Sequence, residues 1–155
     1  MTELTAAIGI EQLKKLDKFN DIRIENARYL TAQLAGIKGL QLPKEVEDTK
    51  HVYYFYGMFY NSEEVGIPRA KFIQALKQEG IPCYGGTPHP LYKNPIFLEK
   101  TGAVDYTKVK CENAEKLCYE HAVWVTIVRP PCTLRDMDDI VAAIKKIIEN
   151  KELLK

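Results

Sequence analysis

The chain reads as an α+β domain in which helices cover a small, mostly antiparallel sheet of about three strands. Three observations predict this. Apolar residues recur at helical spacing near both ends and in two stretches between them. Aromatic and β-branched runs separate those stretches. The resulting order, helix, helix, strand, helix, strand, long loop, helix, strand, helix, supplies too few strands for a doubly wound sheet and shows no internal repeat.

The first helix rests on Leu4, Ala7, Ile8, Leu13 and Leu16, with Thr2 as its N-cap. A second is predicted from about Asp17, with Ile24, Ala27, Leu30 and Leu34 on its inner face, polar residues between them facing solvent, and a stop at Gly36 or Gly39. The nearly continuous run from Lys50 to Tyr60 suits a strand buried on both faces, after which Asn61-Ser62 opens a loop. Pro68, Phe72, Ile73, Leu76 and Gly80 punctuate a short helix, and a strand follows over Ile81 to Tyr84. Gly85-Gly86, Pro88, Pro90 and Pro95 exclude a regular element, so a long ordered loop is expected from Gly85 to about Lys108, the favoured place for function. Ala114, Leu117, Cys118 and His121 mark another helical face, Val123 to Val128 a third buried strand closed by Pro130-Pro131, and Thr133-x-x-Asp136 a capping box for the last helix.

At 155 residues the chain is long enough for one core, and it reads as a single domain with a helical lead-in over 1–36 and an α+β body over 50–155. Net charge is +1 with both signs interspersed, which gives no footprint for nucleic acid or an anionic membrane. The opening residues resemble no secretory leader and the longest apolar run cannot span a bilayer, so the cytoplasm is expected.

The residues offer few chemical groups. Cys83, Cys111, Cys118 and Cys132 lack any C-x-x-C or ligand spacing and read as reduced thiols. Cys83 and His89 fall near one loop and would in principle make a nucleophile and base, though a thiol in a strand is better explained by packing. His51 opens a strand, and His121 sits on a helix's apolar face; neither is expected to be catalytic. Gly85-Gly86-Thr87-Pro88-His89 lacks the Lys and Ser/Thr of a phosphate loop. Asp136, Asp138 and Asp139 lie in a first helical turn, where the macrodipole and the cap account for them without a metal. No self-sufficient catalytic constellation emerges.

Met1-Thr2-Glu3-Leu4-Thr5-Ala6-Ala7-Ile8-Gly9-Ile10-Glu11-Gln12-Leu13, then Lys15-Leu16-Asp17 and Arg23-x-x-x-Ala27-x-x-Leu30, resemble a signature stretch of the DegT/DnrJ/StrS sugar aminotransferases. The likeness continues through His51-Val52-Tyr53, Gly80-Ile81-Pro82, Pro90-Leu91-Tyr92-x-x-Pro95, Ala114-Glu115 and Asp136-Met137-Asp138-Asp139-Ile140. The resemblance implies the C-terminal small domain of a fold-type I enzyme dependent on pyridoxal phosphate. That enzyme would move an amino group from glutamate or glutamine to a keto sugar, and it would be a homodimer.

The family's Schiff-base lysine, pyridinium-pairing aspartate and stacking aromatic belong to a large domain upstream of Met1, so no catalytic or cofactor-binding residue is assigned here. Lys93 matches no catalytic position. Pyridoxal phosphate is implied for the full-length family and is not expected on this chain alone. Substrate contacts are assigned to Tyr84, His89 and Tyr92, the last standing where the family's P-L-H segment has histidine. Val123 to Pro131 departs from the family's usual L-P-x-x-P ending and leaves the sugar open. The expectation is an aminotransferase part, whether cut at a domain boundary, from a truncated gene or from a split enzyme, inactive by itself. A non-catalytic ligand-binding or oligomerisation module is the alternative, and a Cys83–His89 hydrolase ranks far below. The face that meets the large domain should be apolar and promote self-association.

Overall fold

One continuous helix, α1, runs from Glu3 to Leu34 where two were expected. No glycine or proline interrupts residues 10–35, so nothing breaks the backbone ladder near Asp17. Thr2 Oγ1 accepts from the Thr5 N–H at 3.3 Å, and Gly36 at φ +83° ends the helix. At 1.5 Å per residue its 32 residues extend roughly 48 Å. Its second half alone is packed: Asn26, Ala27, Leu30 and Leu34 are buried, whereas Leu4 and Leu13 are 73% and 67% exposed and Ile8 and Leu16 also face out. An unpartnered apolar stretch therefore lies on this helix. Asn26 corrects the expectation that polar residues here face solvent, because its Nδ2 donates to the carbonyls of Val128 (3.1 Å) and Cys132 (3.0 Å).

The computed structural model describes residues 1–99 and 104–154, and residues 100–103 of the expected loop lie outside them. Among the described residues the sheet has four strands, β1 (Leu40–Gln41), β2 (Tyr56–Tyr60), β3 (Cys83–Tyr84) and β4 (Ala122–Val125), in the order β1-β2-β4-β3 with every pair antiparallel. The two-residue β1 is one more than expected; it pairs Leu40 with Tyr60.

The aromatic run does not form an eleven-residue strand. Tyr53 adopts φ +47°, uncommon for a bulky side chain, to bury its ring while its hydroxyl reaches Glu45 Oε1 at 3.2 Å. Pairing begins only at Tyr56. Nor is β2 buried on both faces: Tyr56, Met58 and Tyr60 point into the core, and Gly57 and Phe59 alternate onto a half-open face. That face also carries Trp124 stacked on Phe55 at 4.9 Å and His121 stacked on Phe59 at 4.1 Å. His121 Nδ1 lies 3.0 Å from the Tyr60 carbonyl, so it is a satisfied boundary residue. His51 lies between β1 and β2 and abuts Tyr53 edge-on.

Asn61 opens a helical turn, α2 (Ser62–Val65), where a loop was expected, because its side-chain oxygen accepts from Glu63 and Glu64. Helix α3 (Arg69–Gln78) starts after Pro68 and closes in a Schellman motif. There the Ile81 N–H meets the Leu76 carbonyl, the Gly80 N–H meets that of Lys77, and Gly80 takes φ +84°. The expected loop holds a 3-10 turn at Leu91–Lys93, the single-turn helix α4 (Pro95–Leu98) and another 3-10 turn at Tyr106–Lys108. Helix α5 (Glu112–Lys116) passes into a π-turn over Leu117–His121. Helix α6 (Leu134–Glu149) follows, with Asp136 accepting from the Thr133 N–H at 2.7 Å, the returning half of a capping box, and also from the Thr133 hydroxyl at 2.8 Å.

The core lies between one face of the sheet and helices α1, α3 and α6. Tyr56, Met58, Tyr60, Cys83, Val123 and Val125 meet Leu30, Leu34, Phe72, Leu76, Met137, Ile140 and Ile144. None of the helices among the described residues is long and apolar enough to cross a membrane.

Two phenols in this core carry a pH dependence. Tyr56 bonds Thr31 Oγ1 at 2.8 Å, and Tyr60 donates to the Ile67 carbonyl at 2.8 Å. Burial pushes Tyr56 up to about 12 and raises Tyr60 still further. Both folded values exceed that of an unfolded tyrosine, about 10. The native state therefore keeps protons that the unfolded chain releases. This contribution to stability is complete below about pH 10 and falls as pH rises through that value. Absorbance at 295 nm should show these two phenols ionising only together with the loss of far-ultraviolet dichroism. Titration of all nine tyrosines below pH 11, with the fold intact, would contradict the burial.

Candidate functional site

The Gly85–Tyr92 segment turns back across the outer face of β4. Gly86 makes this possible: it sits at φ +82°, and a Cβ there would come within 2.8 Å of the Ala122 Cβ. Beyond the turn, the chain and the π-turn enclose an open cleft of about 540 Å³ whose lining includes His89, Tyr92, Lys93, Tyr106, Thr107 and Tyr119.

Tyr92 donates its hydroxyl proton to Glu115 Oε1 and accepts from the Cys111 N–H at 3.0 Å. Lys93 Nζ pairs with Glu115 Oε2 at 3.0 Å and lies 5.6 Å above the Tyr119 ring and 6.0 Å from that of Tyr92. The hydrogen bond from Tyr92, then that from Lys93, holds the Glu115 carboxyl below its ordinary range. In turn, the bond to Glu115 raises Lys93, and burial followed by that same carboxylate raises Tyr92. The result at neutral pH is a neutral phenol, a carboxylate and an ammonium locked together. Glu115 is thus a contact between the loop and α5.

His89 is half-buried, and among the described residues its imidazole has no hydrogen-bond partner. It lines the cleft together with Lys93. Of the residues assigned from the sequence, His89 and Tyr92 share this cleft, whereas Tyr84 does not line it. Tyr84 is half-exposed on β3, opposite Trp124, with Lys77 Nζ 5.3 Å over its ring.

Cys83 is buried, its Sγ 3.5 Å from the Ile73 carbonyl, and burial pushes its thiol up. That is a packed, protonated sulfur and a poor nucleophile. Of the acidic trio only Asp136 lies in the first turn of α6, where it serves the cap, while Asp138 accepts from Tyr29 at 2.5 Å. Among the described residues no group of three His, Cys, Asp or Glu is placed to hold a metal.

Sequence reasoning missed Lys93, Glu115, Tyr119 and Arg69 as parts of this site. Lys93 and Glu115 pair across the loop and α5, Tyr119 joins them from the π-turn, and single π-turns leave no periodic signal. Arg69 lies on another helix altogether.

The sequence profile of the DegT/DnrJ/EryC1/StrS aminotransferase family matches residues 1–145. The chain belongs to that family. The spore coat polysaccharide biosynthesis protein SpsC of Bacillus subtilis is 30% identical over 155 residues, an overlap covering 98% of this chain and 38% of SpsC. The fold is shared with DesI, solved in the presence of its TDP-sugar product (TM-score 0.82, 14% identity, 99% of this chain and 37% of DesI). It is shared too with the GDP-4-keto-6-deoxy-D-mannose-3-dehydratase of E. coli, solved with bound hydrated pyridoxal phosphate (TM-score 0.73, 25% identity, 89% of this chain and 34% of that one). The family thus includes dehydratases as well as aminotransferases. The chain spans about two fifths of the length of SpsC, and its four-stranded sheet with helices on one face is the part that these enzymes share with it.

Pyridoxal phosphate, which the family implies, needs a lysine amine, a partner for its ring nitrogen and an anion cradle. Among the described residues Lys93 is the one lysine lining the cleft, and its amine is held protonated against Glu115. No aspartate is among the described lining residues. The described residues of this cleft do not fit the cofactor.

Proposed function

We propose that this chain is the small domain of a sugar-modifying enzyme of the family and that it supplies one wall of the substrate site. The enzyme would transfer an amino group from glutamate or glutamine to a keto sugar, with pyridoxal phosphate held on a large domain. The supporting observation is the cleft itself: an unpartnered imidazole, His89, beside an ammonium and aromatic rings fixed by Glu115. Hydroxyl and phosphate groups of a nucleotide sugar match that mix of donors, charge and ring faces. The Tyr92 hydroxyl donates its hydrogen bond to Glu115, so its share is to hold Lys93 and the loop rather than to donate to sugar. Tyr84 joins only for a ligand that reaches the sheet edge. The chain alone would be inactive, and the whole enzyme a cytoplasmic homodimer.

A thymidine-diphosphate 4-keto sugar, titrated into the purified chain and followed by amide NMR, should shift His89, Tyr92, Lys93 and Tyr119 and leave α6 unmoved. His89→Ala should abolish those shifts. Shifts confined to other surfaces would overturn the assignment. Incubation with pyridoxal phosphate and borohydride should yield no stoichiometric lysine adduct; a single modified lysine would show a cofactor site on this chain. The dehydratase relative supports a second reaction on the same kind of substrate. Product analysis separates the two, an aminated sugar from a 3-deoxy sugar.

A further inference from the structure

A single guanidinium joins both walls of the cleft. Arg69, the first residue of α3, donates from Nη1 to the carbonyls of Gly85 (2.9 Å), Cys118 (3.2 Å) and Ala122 (2.9 Å), and from Nη2 to that of Tyr119 (2.6 Å). Gly85 is the root of the segment that carries His89, Tyr92 and Lys93. Cys118 and Tyr119 belong to the π-turn, and Ala122 opens β4.

Chemistry explains why arginine stands here. A helix that ends directly in a strand leaves carbonyls without N–H partners. A planar fork with five N–H donors serves several of them at once, whereas a lysine ammonium is a point donor. Gly85 lets the fork approach, since a Cβ there would lie 3.2 Å from Nη1. A weaker tie between Thr87 Oγ1 and Cys118 Sγ, at 3.3 Å, spans the same two segments.

We propose that Arg69 is the positioning residue of the cleft, holding the His89–Lys93 loop at a set distance from the turn that bears Tyr119. It acts through backbone carbonyls and touches no ligand. Its functional weight rests on the reading of the cleft as a substrate wall, but its geometry is measurable without any ligand.

The test uses this chain with Arg69→Lys, Arg69→Met and Gly85→Ala, the last placing a Cβ 3.2 Å from Nη1 and so crowding the fork while keeping the arginine. Hydrogen exchange should quicken about tenfold or more over residues 85–92 and 117–122. Cross-peaks between the Lys93 side chain and the Tyr119 ring should vanish, while α6 and β2 keep wild-type exchange. Arg69→Lys should fail to rescue either signal. Wild-type cross-peaks and exchange in Arg69→Lys would overturn the proposal. So would protection lost evenly across α6 and β2, since that marks a general stabiliser. Gly85→Ala guards against a charge effect, and its failure to reproduce the local pattern also counts against the clamp. The thymidine-diphosphate keto sugar should bind the altered chains several-fold more weakly. If the local pattern appears and sugar binding is unchanged, the clamp stands and the substrate reading of the cleft fails.

Discussion

Phe72→Ala should lower the unfolding free energy by about 3–5 kcal/mol, the usual cost of deleting a fully buried phenylalanine ring. Phe72 is 0% exposed and stacks on Tyr60 with ring centroids 4.6 Å apart, so the loss includes an aromatic pair as well as a cavity. Through this ring α3 packs on β2, and α3 begins with Arg69. Urea titration should show the midpoint falling with little change in slope, and the thermal midpoint should fall by roughly 6–20 °C. A change under about 1 kcal/mol would mean that α3 is not anchored through this ring.

Asn26→Leu should cost about 2–3 kcal/mol, although it places an apolar residue in an apolar setting. The amide is 2% exposed and is the donor to two carbonyls of the segment between β4 and α6. Leucine leaves both carbonyls without that donor, and an unsatisfied buried group costs about 1–3 kcal/mol. Asn26→Asp separates polarity from hydrogen bonding. Its carboxylate would face two carbonyl oxygens, which raises the carboxyl's folded-state value above that of an unfolded aspartate. That variant should be weakest near neutral pH and regain stability as pH falls through the raised value. Equal stability of Asn26→Leu and wild type would show that the 128–132 segment is held by packing alone.

Much of the architecture was legible in the sequence because local rules act over a few residues. The capping box at Thr133 and Asp136, the Gly80 stop of α3 and the apolar stripe of α6 are local and stand as read. The failures share one cause, which is that the deciding contact comes from far along the chain. The aromatic run ought to be one long strand, yet Tyr53 bends away to reach Glu45 and the core. β1 is too short to carry a period and exists because Tyr60 is there to pair with Leu40. Asn26 looks like a solvent-facing polar residue until the carbonyls of Val128 and Cys132, about a hundred positions away, are placed against it.

The site divides along the same line. Composition and proline spacing marked 85–108 as a loop without regular elements, whereas its described residues hold α4 and two 3-10 turns, and family resemblance marked His89 and Tyr92 within it. Only the tertiary structure could gather Lys93, Glu115 and Tyr119 around them, and set Tyr84 apart on the sheet edge. The sequence by itself determined the α+β class, the helix caps and family membership, because those follow from short-range periodicity and motif. The tertiary structure decided the strand count, the buried amide and the shape of the cleft. Arg69 shows why: it bonds carbonyls at positions 85, 118, 119 and 122, a set of partners that no spacing in the chain encodes.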